Sequence, residues 1–233
     1  MKLAATALAV AVLVAAAPAC GDDDDDASPN GTTSTTLATG GIEVDAPAGW
    51  QKVPLPQLGL GLAIPAEWEA LVLSSDGLAS LAEANPAVPG FADSAHAAAA
   101  AGAVFYAAGV QADDRVTDLK IRAVPDSGVK DVADLEESAR QLASEAKLAN
   151  PAIEPVEGAE RPTVRVRFHS EASRTDPDDP EAEPTTVPVE GTEYLVLGPK
   201  DVVYSLIVTS EQAEGHDALA KEIFDTVAFP EKD

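Results

Sequence analysis

Apolar and polar positions alternate with period two at several points along the chain, the spacing by which a strand turns one row of side chains inward. Leu58, Leu60, Leu62 and Ile64 alternate with small residues until Pro65 stops the run. Within 163–168, Val164, Val166 and Phe168 alternate with Arg165 and Arg167, which predicts a strand with one wet face. Residues 192–197 and 202–209 predict two more strands, joined by the hairpin signal Gly198-Pro199-Lys200. Short strands are expected at 70–73 and 104–107. Residues 116–124 alternate through Val116, Leu119, Ile121 and Ala123 with one slip, which reads as a bulge.

The period changes to 3.6 at 131–148. Val132, Leu135, Ala139, Leu142, Ala143 and Ala146 share one helical face, with Glu136, Glu137, Arg140 and Glu145 largely opposite, and Asn150-Pro151 ends the helix. Alanine and leucine content predicts helix at 78–84 and 92–101, broken into pieces by Pro86 and Pro89. A last helix is expected at 211–225, followed by an edge strand at 226–229. Ser170 to Pro184, rich in proline and acids, is expected to be a long exposed loop.

Before Trp50 neither period holds. Residues 1–19 have the parts of an export signal: Lys2, an apolar core from Leu3 to about Ala17, and small residues before a cut. The segment LVAAAPAC resembles the lipobox of bacterial lipoproteins, and the resemblance implies lipidation of Cys20 after cleavage. Ala17-Pro18-Ala19 also fits the A-x-A site of ordinary signal peptidase, which would release a soluble protein. An uncleaved membrane helix is the third reading, at the short edge of the roughly 20 apolar residues a span needs. Residues 20–48 are read as the modified cysteine and an acidic Ser/Thr-rich tether, too poor in large apolar groups to fold. About 28 flexible residues reach roughly 30 Å. The adjacent carboxylates Asp22 to Asp26 lack the spaced loop of a calcium site. Asn30-Gly31-Thr32 and the Thr32 to Thr36 cluster are glycan-acceptor patterns. Residues 49–233 form the expected domain.

The 233 residues carry 40 acids against 15 lysines and arginines, a formal net charge of −25, which argues against nucleic acid as a partner. A single cysteine excludes an intramolecular disulfide, so the fold must rest on core packing. His96, His169 and His216 make no local metal signature, no G-x-S-x-G elbow or phosphate-cradling glycine loop occurs, and no cofactor or metal is expected. Arg165 and Arg167, with His169 ending the same strand, are the candidate ligand-binding residues: two guanidiniums on one face hold an anion bidentately, or pair with the chain's own acids.

The order of strand, Pro65-Ala66-Glu67-Trp68, helical insert, two strands, helix, three strands and a terminal helix closing in FDTVAFP resembles the PsbP-like fold. Over residues 58–230 it is similar to the LpqN-type lipoproteins of mycobacteria and their relatives. The resemblance implies an α+β domain, an antiparallel sheet packed by helices, with Pro65 and Trp68 as structural positions. It also implies an extracytoplasmic binding or accessory role without a shared catalytic constellation. The alanine-rich run 95–101 and the acidic segment 176–183 depart from that pattern. The expectation is a non-enzymatic, monomeric protein held by lipid on Cys20 at the outer face of the cell membrane, with an unknown envelope protein as partner. A carrier of a small apolar or lipidic ligand, in a cavity lined by the alanine-rich insert, and a secreted hydrolase are the alternatives.

Overall fold

The computed structural model describes residues 42–81, 86–110, 115–174, 183, 185–211 and 214–230. Cys20, the signal segment, the glycan patterns and the tether up to residue 41 lie outside the described residues.

The domain is α+β, an antiparallel sheet flanked by helices, the architecture that the resemblance implies. A hairpin of β1 (Trp50–Leu55) and β2 (Leu60–Pro65) stands beside a seven-stranded sheet in the order β3-β4-β5-β9-β8-β7-β6. Its strands are β3 (Glu69–Val72), β4 (Phe105–Val110), β5 (Val116–Val124), β6 (Ala149–Pro155), β7 (Thr163–Arg174), β8 (Thr185–Leu197) and β9 (Val203–Ser210). The helices are α1 (Ser75–Ser80), α2 (Phe91–Ala100), α3 (Val132–Glu145) and α4 (His216–Asp225).

Alternation divides the side chains between two faces. Leu119 and Ile121 of β5, Leu206 and Val208 of β9, and Tyr194 and Val196 of β8 join the β1-β2 hairpin and α4 in the main core. On the other face α2 packs on β4 through Phe91, Ala95 and Ala98 against Tyr106 and Ala108. There α3 packs on Val164, Val166 and Leu195. Trp68, just past the Pro65 stop, lies so close to Gly109 on β4 that a Cβ there would meet its ring at 2.2 Å. Pro65 and Trp68 are both buried and are thus packing residues.

α3 is capped as its sequence implies. The Asp131 carboxylate accepts from the Ala133 and Asp134 amides at 2.9 and 3.1 Å, satisfying two orphan donors of the first turn. At its other end Lys147 is left-handed, and the Leu148 and Lys147 amides donate back to Ala143 and Ser144 at 2.9 and 3.1 Å. The seat is narrower than predicted: Leu135, Ala139 and Ala143 are buried, while Leu142 is 39% exposed because it sits off that i, i+4 column.

Several boundaries differ from the sequence reading. Ile42 and Val44 are buried against Ala63, so packed chain begins within the stretch whose composition suggests tether. Pairing of β5 is unbroken on both sides, and its core-facing residues are Thr117, Leu119 and Ile121. The slip is therefore no bulge: Val116 faces the other side, which α2 also makes apolar. Asn150-Pro151 does not merely follow the helix but forms the irregular start of β6, where register with β7 shifts between Ala149 and Ala152. Residues 170–174 are strand rather than loop: the ladder with β8 runs on from Ser170 opposite Val189 to Arg174 opposite Thr185. Glu211 still pairs with the sheet through its amide to the Val116 carbonyl, and α4 starts only at His216, after left-handed Gly215. The 226–229 segment makes a single bridge, Gly61 to Ala228.

Candidate functional site

The β7 alternation turns Arg165 and Arg167 toward α4. Glu154 faces Arg165 in the β6 register, and its Oε1 accepts from Arg165 Nε and Nη2 at 3.0 and 2.5 Å. Arg167 Nη2 reaches the same oxygen at 3.2 Å, and its Nη1 lies 3.5 Å from Asp217 at the start of α4. The Arg165 hydrogen bond holds the Glu154 carboxyl below its ordinary range, against a smaller opposing effect of burial. The two predicted arginines are thus together and taken by the chain's own acids. His169 is exposed, opposite Glu190 on β8, and does not join them. His96 is exposed on α2.

Beside this strip lies a cleft of two adjoining lobes, about 540 and 430 Å³, which share Gly158, Ala159, Phe224 and Asp225. The β6–β7 turn forms one wall, with Gly158 left-handed, and the C-terminal end of α4 forms another. Period-two alternation supplies a third: Ile42 and Val44 point into the core, so Glu43 and Asp45 face the cleft. Phe224 stacks on Tyr194 with centroids 4.2 Å apart and planes at 6°, and Arg161 lies 4.7 Å over the Phe229 ring. The cations around the cleft are engaged, Arg161 on Phe229, Arg165 by Glu154, and Lys221 by Asp225 at 2.5 Å. Among the described residues Glu43, Asp45, Glu157 and Glu160 have no such partner. Chemically, the cleft is an open polar trough with an aromatic wall and an acidic rim.

Sequence reasoning missed a buried chain of polar groups under the start of α4. Thr117 Oγ1 and Ser210 Oγ are 3.0 Å apart, Ser210 Oγ and His216 Nδ1 2.9 Å, and His216 Nε2 and Thr192 Oγ1 3.1 Å. Thr192 donates to Asp217 Oδ1 at 3.2 Å. Burial pushes the His216 imidazole below its ordinary pKa, with Asp217 and Glu190 opposing. Ser210 and His216 are 1% and 3% exposed, and neither lines either lobe of the cleft. The available signal was register: Thr117, Thr192 and Ser210 occupy inward positions of strands whose other inward residues are apolar.

On the opposite sheet face Glu193 is buried and accepts from Ser205 at 2.5 Å. Burial raises its pKa, and the Ser205 hydrogen bond, followed by nearby Arg122, partly offsets the rise; the buried Arg122 Nε has no hydrogen-bond partner among the described residues. Ala95 and Ala98 of α2 are 0% and 3% exposed and line neither lobe of the cleft. Among the described residues no cluster of three or more His, Cys, Asp or Glu is placed to hold a metal, and no helix is long and apolar enough to cross a membrane.

No protein-family model matches the chain, and no curated protein matches its sequence. Solved structures to which it is similar include cyanobacterial PsbP (CyanoP) from Synechocystis sp. PCC 6803, with 8% identity, a TM-score of 0.43, and coverage of 79% of this chain and 94% of that one. Another is the Saccharomyces cerevisiae Ran-binding protein Mog1p, with 8% identity, a TM-score of 0.41, and coverage of 79% and 95%. A third is a Bacteroides thetaiotaomicron protein, with 8% identity, a TM-score of 0.38, and coverage of 79% and 50%. At these identities and TM-scores the likeness carries no activity and no partner to this chain.

Proposed function

We propose that the chain is an LpqN-type, lipid-anchored binding protein of the bacterial cell envelope. It is tethered through Cys20 on the extracytoplasmic face, and its cleft holds a basic, extended segment of a partner. Two or three acyl chains, at about 0.8 kcal/mol per buried methylene, suffice for stable anchoring. The observation that carries the binding reading is the charge state of the cleft: its cations are engaged while Glu43, Asp45, Glu157 and Glu160 are not. A role without catalysis is supported by the sealing of Ser210 and His216 under α4. An apolar carrier finds less support, because the alanine-rich helix is packed against Tyr106 and Ala108.

Two measurements test this. Metabolic labelling with a palmitate analogue should mark the wild type and not Cys20→Ser; equal labelling of both removes the anchor. Calorimetric titration with a Lys/Arg-rich peptide should give binding that an Asp/Glu-rich peptide of equal length does not. Joint Glu43→Lys, Asp45→Lys and Glu160→Lys substitution should abolish it. Equal affinity for both peptides would refute the cleft assignment.

A further inference from the structure

α4 is attached at its two ends by different chemistry. Toward the C-terminus, Ile223 is in the main core and Thr226 Oγ1 accepts from the Ala63 amide of β2 at 2.8 Å and donates to the Ile223 carbonyl at 2.7 Å. At the N-terminus there is no side-chain cap, and Gly215 at the cap position is left-handed. The attachment there is His216, 3% exposed, bridging Ser210 of β9 to Thr192 of β8.

The chain of bonds has a direction. The Asp217 carboxylate can only accept, so the Thr192 hydroxyl donates to it and must itself accept from Nε2–H of His216. In the neutral ring Nδ1 is then the acceptor, taking the Ser210 hydroxyl proton, and Ser210 accepts from Thr117. A second proton on the ring arrives at Nδ1 and turns it into a donor. Ser210 must then accept from the ring, and its own hydroxyl proton, displaced from Nδ1, finds an acceptor in this chain of bonds only if the bond to Thr117 reverses. The resulting imidazolium is enclosed, at the first residue of a helix, where the macrodipole opposes a positive charge. The charged groups facing it are Asp217 on α4 and Glu190 on β8, while Arg167 of β7 lies 3.5 Å from Asp217 and competes for that carboxylate. From β5 and β9 the hydroxyls of Thr117 and Ser210 face it.

We propose that α4 is an acid-released latch: protonation of His216 frees the start of the helix from β8 and β9 and loosens the cleft wall that its far end forms through Phe224 and Asp225. About ten residues at 1.5 Å rise span roughly 15 Å, short enough for one rigid helix to connect the two ends. The latch itself stands on the buried bridge; only its consequence for a ligand rests on the cleft reading above.

Hydrogen exchange on the full chain tests it, corrected for the intrinsic pH dependence of exchange. Between pH 7.5 and pH 5 the α4 amides should lose protection several-fold while those of α3 keep theirs. His216→Gln, which keeps a donor and an acceptor but does not titrate, should flatten that loss, and His169→Gln should not. Unchanged α4 protection in the wild type, or an equal loss in His216→Gln, overturns the latch. Should His216→Gln fail to fold, NMR titration of the wild-type ring decides: a His216 ring that titrates at or above the free-histidine value overturns the latch, and one that titrates below it supports it. Basic-peptide affinity measured in parallel separates the two readings. A latch that opens in a protein that binds no peptide at any pH leaves the latch standing and removes the cleft assignment.

Discussion

Two polar groupings on one sheet face, a few residues apart, behave oppositely. The Arg165, Glu154 and Arg167 strip is charged, conspicuous in sequence and half exposed, with side-chain exposures of 28%, 40% and 41%. The chain from Thr117 through Ser210, His216 and Thr192 is neutral, inconspicuous and almost wholly enclosed. Exposed ion pairs contribute about 0–1 kcal/mol because water and salt screen them and two long side chains must be ordered. A buried hydroxyl or imidazole that loses its partner costs about 1–3 kcal/mol, because nothing replaces the water it gave up. The quieter group therefore fixes the start of α4, and the louder one trims the surface beside it.

Ser210→Ala sharpens this contrast most. It should destabilise the protein by about 1–3 kcal/mol in urea unfolding, since both Thr117 and His216 lose a partner. A change below about 0.5 kcal/mol would mean that water replaces the hydroxyl. Acidity is next. The folded-state pKa of His216 is lowered, so its contribution is present above the unfolded value of about 6.5 and is lost as pH falls from there through the folded value. Glu154 is also lowered, so its contribution is present above about 4.3 and is lost only below that. Thermal unfolding across pH 7.5 to 3 should show the His216 decline first, and its absence in His216→Gln identifies it. The smallest effect is expected for the ion pair. A double-mutant cycle of Arg165→Ala and Glu154→Ala should give a coupling of about 0.2–1 kcal/mol, reduced by salt. A coupling above about 2 kcal/mol would reverse the comparison.

What was legible in the chain follows the same division. Amphipathic periodicity located α3, because an Asp131 cap, a buried column and a left-handed ending all agree with its local pattern. The alternation of Val164, Val166 and Phe168 located β7, and Gly198-Pro199-Lys200 located the turn between β8 and β9. β1 escaped notice because WQKVPL contains Lys52 and Pro54, which a strand tolerates when it pairs on one side only, as β1 does with β2. β6 escaped because Asn150-Pro151 reads as a stop, whereas the sheet absorbs it in a register shift. The arginine pair was visible as a charge pattern, and its neutralisation by Glu154 was not, because that depends on a pairing 11 residues away. The His216 chain joins three strands and one helix, β5, β9, β8 and α4, whose inward registers no local window contains. The acidic cleft draws Glu43, Glu160 and Asp225 from three distant segments for the same reason.

The central claim is that the cleft beside α4 holds a basic partner segment, and residue-resolved NMR during titration with a Lys/Arg-rich peptide tests it most directly. The account predicts shifts concentrated at 43–45, 157–161 and 224–229, saturating with the peptide and weakening with salt. Shifts confined to α2 and β3, or spread evenly over the acidic surface without saturation, would contradict it.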